Sequence, residues 1–479
     1  MQWITGRLSR CEENHGYCAR NAKTRLPTRI LDLSGGLVRL CETKYESGSY
    51  ACLSHCATLE SRKSGIPWYD LPKTFQEAIS ITRELGLNRL WIDSLCVIQD
   101  IKEDWQLESA QMAGIYQNAF LTLAATSSPD SNGGLWVRSQ SNTSTSCKVI
   151  LRHGGKEYPV YVKKRPVHWP AATKTYVNQT FPLLTRGWVY QELLLSPRFL
   201  HFGKDELVWE CLEESVCECG GYSLDNWTKG KYDYSLTNSA ATKWRKIVEE
   251  YSTKTLSFGS DRLPALSGLA KVNRDLWYGY LAGLWSDSLQ FDLLWRVNKT
   301  DLPNAARPTE YRAPSWSWAS VDAPISYWPA SFCSRTYADK AKCWTIIRAE
   351  TTRAGLDPTG EVSAGVLKVE AVCFDGHLRL DMSSIVEAES PGFSVAFQGS
   401  DIPFFADFNL ALTGDDHFRE GIVLVRATPD ILLVLSVESG THNVYKRIGI
   451  SRRNPFTDKE KTSTHAWELE GKKRMLSII

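Results

Sequence analysis

Apolar residues fall along the chain in two rhythms. Between residues 50 and 125, short unbroken apolar runs alternate with stretches whose apolar positions recur every three or four residues. Residues 50–54 are such a run and read as a buried strand. Residues 70–86 place Phe75, Ala78, Ile79, Thr82 and Leu85 on one helical face. Pro72 suits the first turn, Thr74 and Glu77 fit a capping box, and Gly86 can end the helix. Residues 89–99 (RLWIDSLCVIQ) read as a second buried strand running into a loop. Residues 103–119 form a second helix, with Trp105, Met112, Ile115 and Ala119 on one stripe, and 120–125 a third strand. Strand, helix, strand, helix, strand is the pattern of a parallel α/β unit.

Outside this core the rhythm changes. Residues 127–180 are rich in Ser, Asn, Gly and Thr and read as a long insertion with some strands. Helical spacing returns at 188–195, followed by short strands at 199–202 and 206–211. Residues 236–300 carry helical patterns, including LWYGYLAGLWSDSLQFDLLW. From about 310 the period is that of strands, with runs at 366–373, 421–427 and 431–437. The expected organisation is a polar leader (1–46), an α/β domain (47–211), a mainly helical segment (212–309) and a β-rich domain (310–479).

The 56 basic and 54 acidic side chains leave a formal charge of +2. That balance argues against a general nucleic-acid or anionic-membrane binder, which needs a basic face. No apolar stretch approaches the ~20 residues of a membrane-spanning helix, and the N-terminus has no unbroken apolar core of a signal peptide. Thirteen cysteines, odd in number and scattered, do not describe a disulfide scaffold. A cytoplasmic, reducing environment is expected. The 18 tryptophans point to extensive buried aromatic packing.

The sequence contains no G-x-S-x-G elbow, Walker loop, H-E-x-x-H or Rossmann glycine fingerprint. Chemistry is instead expected where the second strand ends, because ligands of open parallel sheets bind beyond the carboxyl ends of the strands. Asp93, Ser94 and Cys96 fall there, followed by Gln99 and Asp100; the plain alternative is that Asp93 caps a turn and Cys96 is a buried small hydrophobe. Glu108 shares the apolar face of its helix, either as a pKa-shifted carboxyl group or as the structural partner of Arg186 or another cation. Arg186 opens a helix carrying Glu192, and can position an anion or act as an ion-pair hub. His55 and Cys56 leave the first strand, where a His-activated thiolate at Cys56 or Cys96 is chemically feasible beside the alternative of inert packing. Cys11-x3-His15-x2-Cys18 offers three zinc ligands, with Cys41, Cys211, Cys217 or Cys219 as candidates for the fourth. Reduced cysteines packing a small N-terminal lobe are the other reading.

Three blocks of this chain resemble the fungal heterokaryon-incompatibility (HET) domain: YACLSHC; the stretch from LPKTFQEAISITRELG through LWIDSLCVIQDIKEDWQLESAQMAGIYQNAFLTLAA to Asp130 and Gly134-Leu135; and TRGWVYQELLLSPRFLHFGKDELVWEC. The resemblance covers about residues 47–211. The leader's C-x3-H-x2-C and LPTRILDL, and the later DRLPALSGLA, YLAGLW, APSWSWASVD and YKRIGI, resemble segments that flank such domains. One departure is that Ala57-Thr58 stands where the family usually continues with Trp-Gly. The resemblance implies a TIR-like, flavodoxin-like parallel-sheet domain with a helical insert, in a protein of vegetative incompatibility, non-self recognition and induced cell death. Implied partners are copies of itself or other incompatibility proteins. It also implies NAD as a candidate substrate, with a helix-borne Glu after a W-x-x-x-E-like pattern. Trp105-Gln106-Leu107-Glu108 is one residue shorter than that pattern. Two other readings stand beside it. One is a secondary-metabolism enzyme on the same fold, acting on a small molecule by acid/base chemistry through Asp93, Cys96, Glu108 or His55. The other is a scaffold without turnover. Whether the chain is an enzyme stays open at this point.

Overall fold

A computed structural model describes residues 1–18, 24–44, 46–55, 66–98, 100–136, 147–162, 166, 168, 174–220, 240–273, 279–298, 300–328, 344–381, 392–397, 400–410, 421–428, 431–438, 440–441, 443–452 and 471–479. The chain divides into two units, Met1–Thr237 and Asn238–Ile479.

The first unit is built on an eight-stranded sheet. Its middle is four parallel strands, in the order Arg198–Phe202, Leu121–Ala124, Ala51–Ser54, Arg89–Ile92. Nearly every position in them is buried, which explains why they read as continuous apolar runs: both faces of a parallel sheet are covered. In chain order the four run 2-1-3-4. Right-handed crossovers then put helix Lys73–Glu84 on one face and helices Lys102–Asn118 and Gly187–Leu195 on the other. In agreement, the last two pack together, Trp105 meeting Trp188 edge to face at 6.3 Å.

The sheet is mixed rather than purely parallel, which corrects the parallel-sheet expectation. Arg29–Asp32 and Arg39–Glu42 continue it antiparallel beyond Arg89–Ile92, and Leu207–Cys211 and Ser215–Cys217 continue it antiparallel beyond Arg198–Phe202. For three of these pairings the physical reason is local: short connections join Arg29–Asp32 to Arg39–Glu42, Arg198–Phe202 to Leu207–Cys211, and Leu207–Cys211 to Ser215–Cys217, whereas parallel neighbours need a long crossover. The fourth, Arg29–Asp32 with Arg89–Ile92, joins strands far apart in the chain. The supposed polar leader therefore supplies two strands, and it also forms helix Gln2–Asn14.

Two further readings change. The capping box of Thr74 and Glu77 does not form: helix Lys73–Glu84 has no side-chain cap. Thr74 Oγ1 instead accepts from the Gly134 amide at 3.0 Å, and Glu77 Oε2 accepts from the Leu135 and Trp136 amides at 2.6 and 3.1 Å. Asp130 Oδ1 turns the same loop by accepting from Asn132 and Gly133. Residues 89–99 end as a strand at Ile92 and turn at once into the helical turn Asp93–Cys96.

In the second unit, helices Ala240–Ser252 and Pro264–Asn273 precede a β-rich region. Within the stretch read as helical, 236–300, those two helices form, but the described part of the aromatic segment and the residues after it form short strands Tyr280–Leu281, Leu284–Trp285 and Trp295–Val297, with the 3-10 helix Ser286–Ser288 leading into the short helix Leu289–Asp292. Gly283 decides this turn. Its φ is +93°, and a Cβ there would lie 2.6 Å from Trp318 Nε1. Its carbonyl accepts from both the Trp244 and Trp318 indoles, at 2.9 and 3.0 Å.

The strands that follow pair in a closed path: Val362–Asp381, Gly392–Phe397, Ser400–Ala406, Val444–Arg452, Ile431–Val437, Ile422–Thr428 and back to Val362–Asp381. Phe374, Val395, Phe404, Leu424, Val434 and Ile448 belong to its core. Beside it, the fully buried Arg447 is held by Asp407 at 2.9 Å and by the carbonyls of Leu293 and Trp295, with its guanidinium 3.7 Å from the Trp295 ring centre.

Candidate functional site

The four parallel strands end almost level, Ser54 pairing with Ala124 and Leu53 with Ile92. Between Ala51–Ser54 and Leu121–Ala124 the strand order reverses direction, the place where open sheets bind ligands. His55 emerges there, buried, with its ring edge-on to Phe75 at 4.8 Å. Its Nε2 lies 3.2 Å from Ser94 Oγ and its Nδ1 3.4 Å from Asp93 Oδ1. Asp93 also accepts from the Ser94 amide at 2.7 Å, starting the short helical turn. It is partly exposed, its side chain 37% accessible.

Helix Gly187–Leu195 brings the rest. Arg186, at its N-cap, donates to the His55 carbonyl at 2.5 Å. Glu192, on the inward face, accepts from the Ser54 hydroxyl at 2.5 Å and hydrogen-bonds Tyr116. Burial pushes the Glu192 carboxyl up to about 7. The Ser54 hydrogen bond opposes the rise, the nearby Asp93 charge adds to it and Arg186 opposes it. Glu192 thus titrates where a general acid or base is most useful.

Of the residues singled out in sequence, the fold brings together His55, Asp93, Arg186 and Glu192. Cys96 lies behind them, buried, its thiol pushed up to about 12 chiefly by that burial. It keeps its proton through the neutral range. Glu108 belongs to a different network. It is 3.4 Å from Arg29, which also binds Asp104 at 2.5 Å, while Asp104 accepts from the Ile98 amide. Burial raises the Glu108 carboxyl and Arg29 opposes the rise. Its cation is thus Arg29, not Arg186. Cys56 and the Ala57-Thr58 departure lie outside the described residues. Sequence reasoning found Ser94 beside Asp93 at the end of the second strand but passed over Ser54 and Tyr116. Ser54 sits inside the quoted YACLSHC word, and a hydroxyl at a strand exit was the available signal.

Among the described residues, two clusters could hold a metal. Cys11, His15, Cys18 and Cys211 bring their ligand atoms within 4.8 Å of one another, and so do His168, Glu206, Cys217 and Cys219. In the first, the Cys11 thiol is pushed up by its hydrogen bonds with Cys18 and Cys211, whereas Cys211, hydrogen-bonded by Cys11 and Cys18, is pulled down.

Residues 50–192 match the family model described as Heterokaryon incompatibility protein (HET). That span opens just before Ser54 and His55 and closes on Glu192. No curated protein and no solved structure matches the chain.

Proposed function

The chain is a heterokaryon incompatibility domain protein, and from that premise we propose that it acts in fungal vegetative incompatibility, as a non-self recognition protein whose activation ends in cell death. The supporting observation is the convergence of His55, Asp93, Arg186 and Glu192 at the point where the strand order reverses. The 2-1-3-4 order of the parallel strands supports a flavodoxin-like, TIR-like reading of the domain. In this reading the domain associates with a second copy or another incompatibility protein, and the strand-end network carries the output. High-level expression in a fungal host tests it. Growth arrest is expected from the wild-type chain and is lost in Asp93→Asn, Arg186→Ala and Glu192→Gln. Ordinary growth of the wild-type strain at high expression overturns the proposal.

One observation favours a second reading, an acid/base enzyme acting on a small molecule. Glu192 exchanges its proton near neutrality and sits one hydrogen bond from a hydroxyl. In such an enzyme Glu192 gives or takes the proton, Arg186 positions an anionic group, and His55 is held by Asp93 and Ser94. NAD is the first substrate to try. Mass spectrometry after incubation with NAD is expected to show nicotinamide release that Glu192→Gln abolishes. Intact NAD at high protein concentration removes that substrate.

A further inference from the structure

The strands Leu207–Cys211 and Ser215–Cys217 form a hairpin, with Val208 opposite Cys217 and Glu210 opposite Ser215. One of the two ligand clusters sits at each end of it. At the turn end, Cys211 meets three residues from the chain's start: Cys11 on the last turn of helix Gln2–Asn14, His15 at its C-cap, and Cys18 just beyond. All three cysteines are fully buried. His15 Nδ1 is 3.3 Å from Cys211 Sγ. At the open end, Cys217 and Cys219 meet Glu206 and His168. His168 Nε2 lies 2.6 Å from Glu206 Oε1 and 3.6 Å from Cys219 Sγ.

We propose that this hairpin holds a zinc ion at each end, a closed one on Cys11, His15, Cys18 and Cys211 and an open one on His168, Glu206, Cys217 and Cys219. Ligands ~2.3 Å from zinc in a tetrahedron lie roughly 3.8 Å apart, and both clusters already gather four donors within 4.8 Å. Soft sulfur with imidazole selects zinc over magnesium or calcium. Each coordinating thiol gives up its proton on binding.

The surroundings differ in a way that assigns the roles. Around the closed site, Arg198 Nε is 3.4 Å from Cys11 Sγ and the Glu214 amide donates to Cys211 Sγ at 3.2 Å. Three thiolates on a divalent ion leave one negative charge, and the Arg198 guanidinium offsets it. Such partners orient the ligands of a metal site and tune it. Arg198 also donates to the carbonyls of Cys18 and Phe120, so the same cation ties the cysteine loop to the sheet. This ion is structural, fastening the N-terminal helix to the sheet edge. The second site faces outward. Cys219 is exposed, and His168 and Glu206 also line a hollow with Pro166, Phe181, Lys204 and Val208. An ion there has an open approach and exchanges.

The zinc content of the full chain tests this, with protein from zinc-supplemented medium purified under reductant. Two ions per chain are expected in the wild type. Cys211→Ser and Cys217→Ser each lose one, while Cys41→Ser keeps both. If Cys211→Ser fails to fold, the wild type still decides: EDTA strips one ion quickly and the other slowly. Cobalt substituted for zinc gives thiolate charge-transfer bands in both steps of its titration. A single ion, lost only in Cys211→Ser, overturns the open site. A zinc-free wild type, with or without a Cys217–Cys219 disulfide, overturns both sites. None of these readouts depends on growth arrest, so the incompatibility reading stands or falls separately.

Discussion

A carboxyl group shut away from water holds its proton to higher pH, and Glu192 is such a group at the strand ends. Its ordinary value is 4.5, and the fold raises it to about 7. Below pH 4.5 both folded and unfolded chains carry the proton. Between the two values the unfolded chain releases it while the folded chain keeps it, so the stability this gives is present at low pH and lost as pH rises through 7. The difference amounts to about 3 kcal/mol as an upper figure. Glu192→Gln is therefore expected to flatten the stability profile between pH 5 and 8, read as urea midpoints at each pH. An unchanged slope would place the titration elsewhere. Arg186 and Glu192 were legible as a pair because they lie within two turns of one helix. Their meeting with His55 was not, because it depends on which strands are neighbours.

Among the elements, helix Lys73–Glu84 shows how a correct element can hide a wrong role. Its apolar face was visible in the spacing of Phe75, Ala78 and Ile79, all buried. Thr74 and Glu77 had the right separation for a capping box, but local spacing cannot register a loop that lies some sixty residues away in the chain. That loop claims both side chains. Gly134 makes the arrangement fit, since its φ is +83° and a Cβ would sit 2.8 Å from Glu77 Oε2. Gly134→Ala is expected to cost about 1–2 kcal/mol or more, measured by chemical denaturation; Glu77→Ala in the same background should relieve part of it. The edge strands Arg29–Asp32 and Arg39–Glu42 were visible only as short apolar pieces, for another reason. Four residues each are too few to show a period. The aromatic stretch before Trp295 misled through its composition, for its fold turns on Gly283 and on indole N–H groups seeking carbonyls.

At the scale of the whole molecule, α/β and β-rich halves were separable in sequence because their apolar periods differ. What could not be read was the charge buried in the second unit. Arg447 and Asp407 are both fully enclosed, and neither lies in the strand runs read from the sequence at 366–373, 421–427 and 431–437. Arg447→Ala leaves Asp407 buried without its cation and is expected to destabilise this unit by about 3–5 kcal/mol. Arg447→Leu combined with Asp407→Leu should lose less. Tryptophan fluorescence during urea unfolding would follow both, through Trp295 under the guanidinium. A strand that lies off the closed path, Lys472–Ile478, sets an order in time. Residues Leu367–Cys373 pair with Lys472–Ile478, which the ribosome makes roughly 100 residues later, about 5–20 s at ordinary synthesis rates. Until then the long strand Val362–Asp381 presents an unpaired edge along those residues, the kind of surface on which nascent chains stick to one another. The strands of the first unit's sheet, the last of them Ser215–Cys217, have all been made before that interval opens, while the second unit's sheet waits for Lys472–Ile478 to emerge.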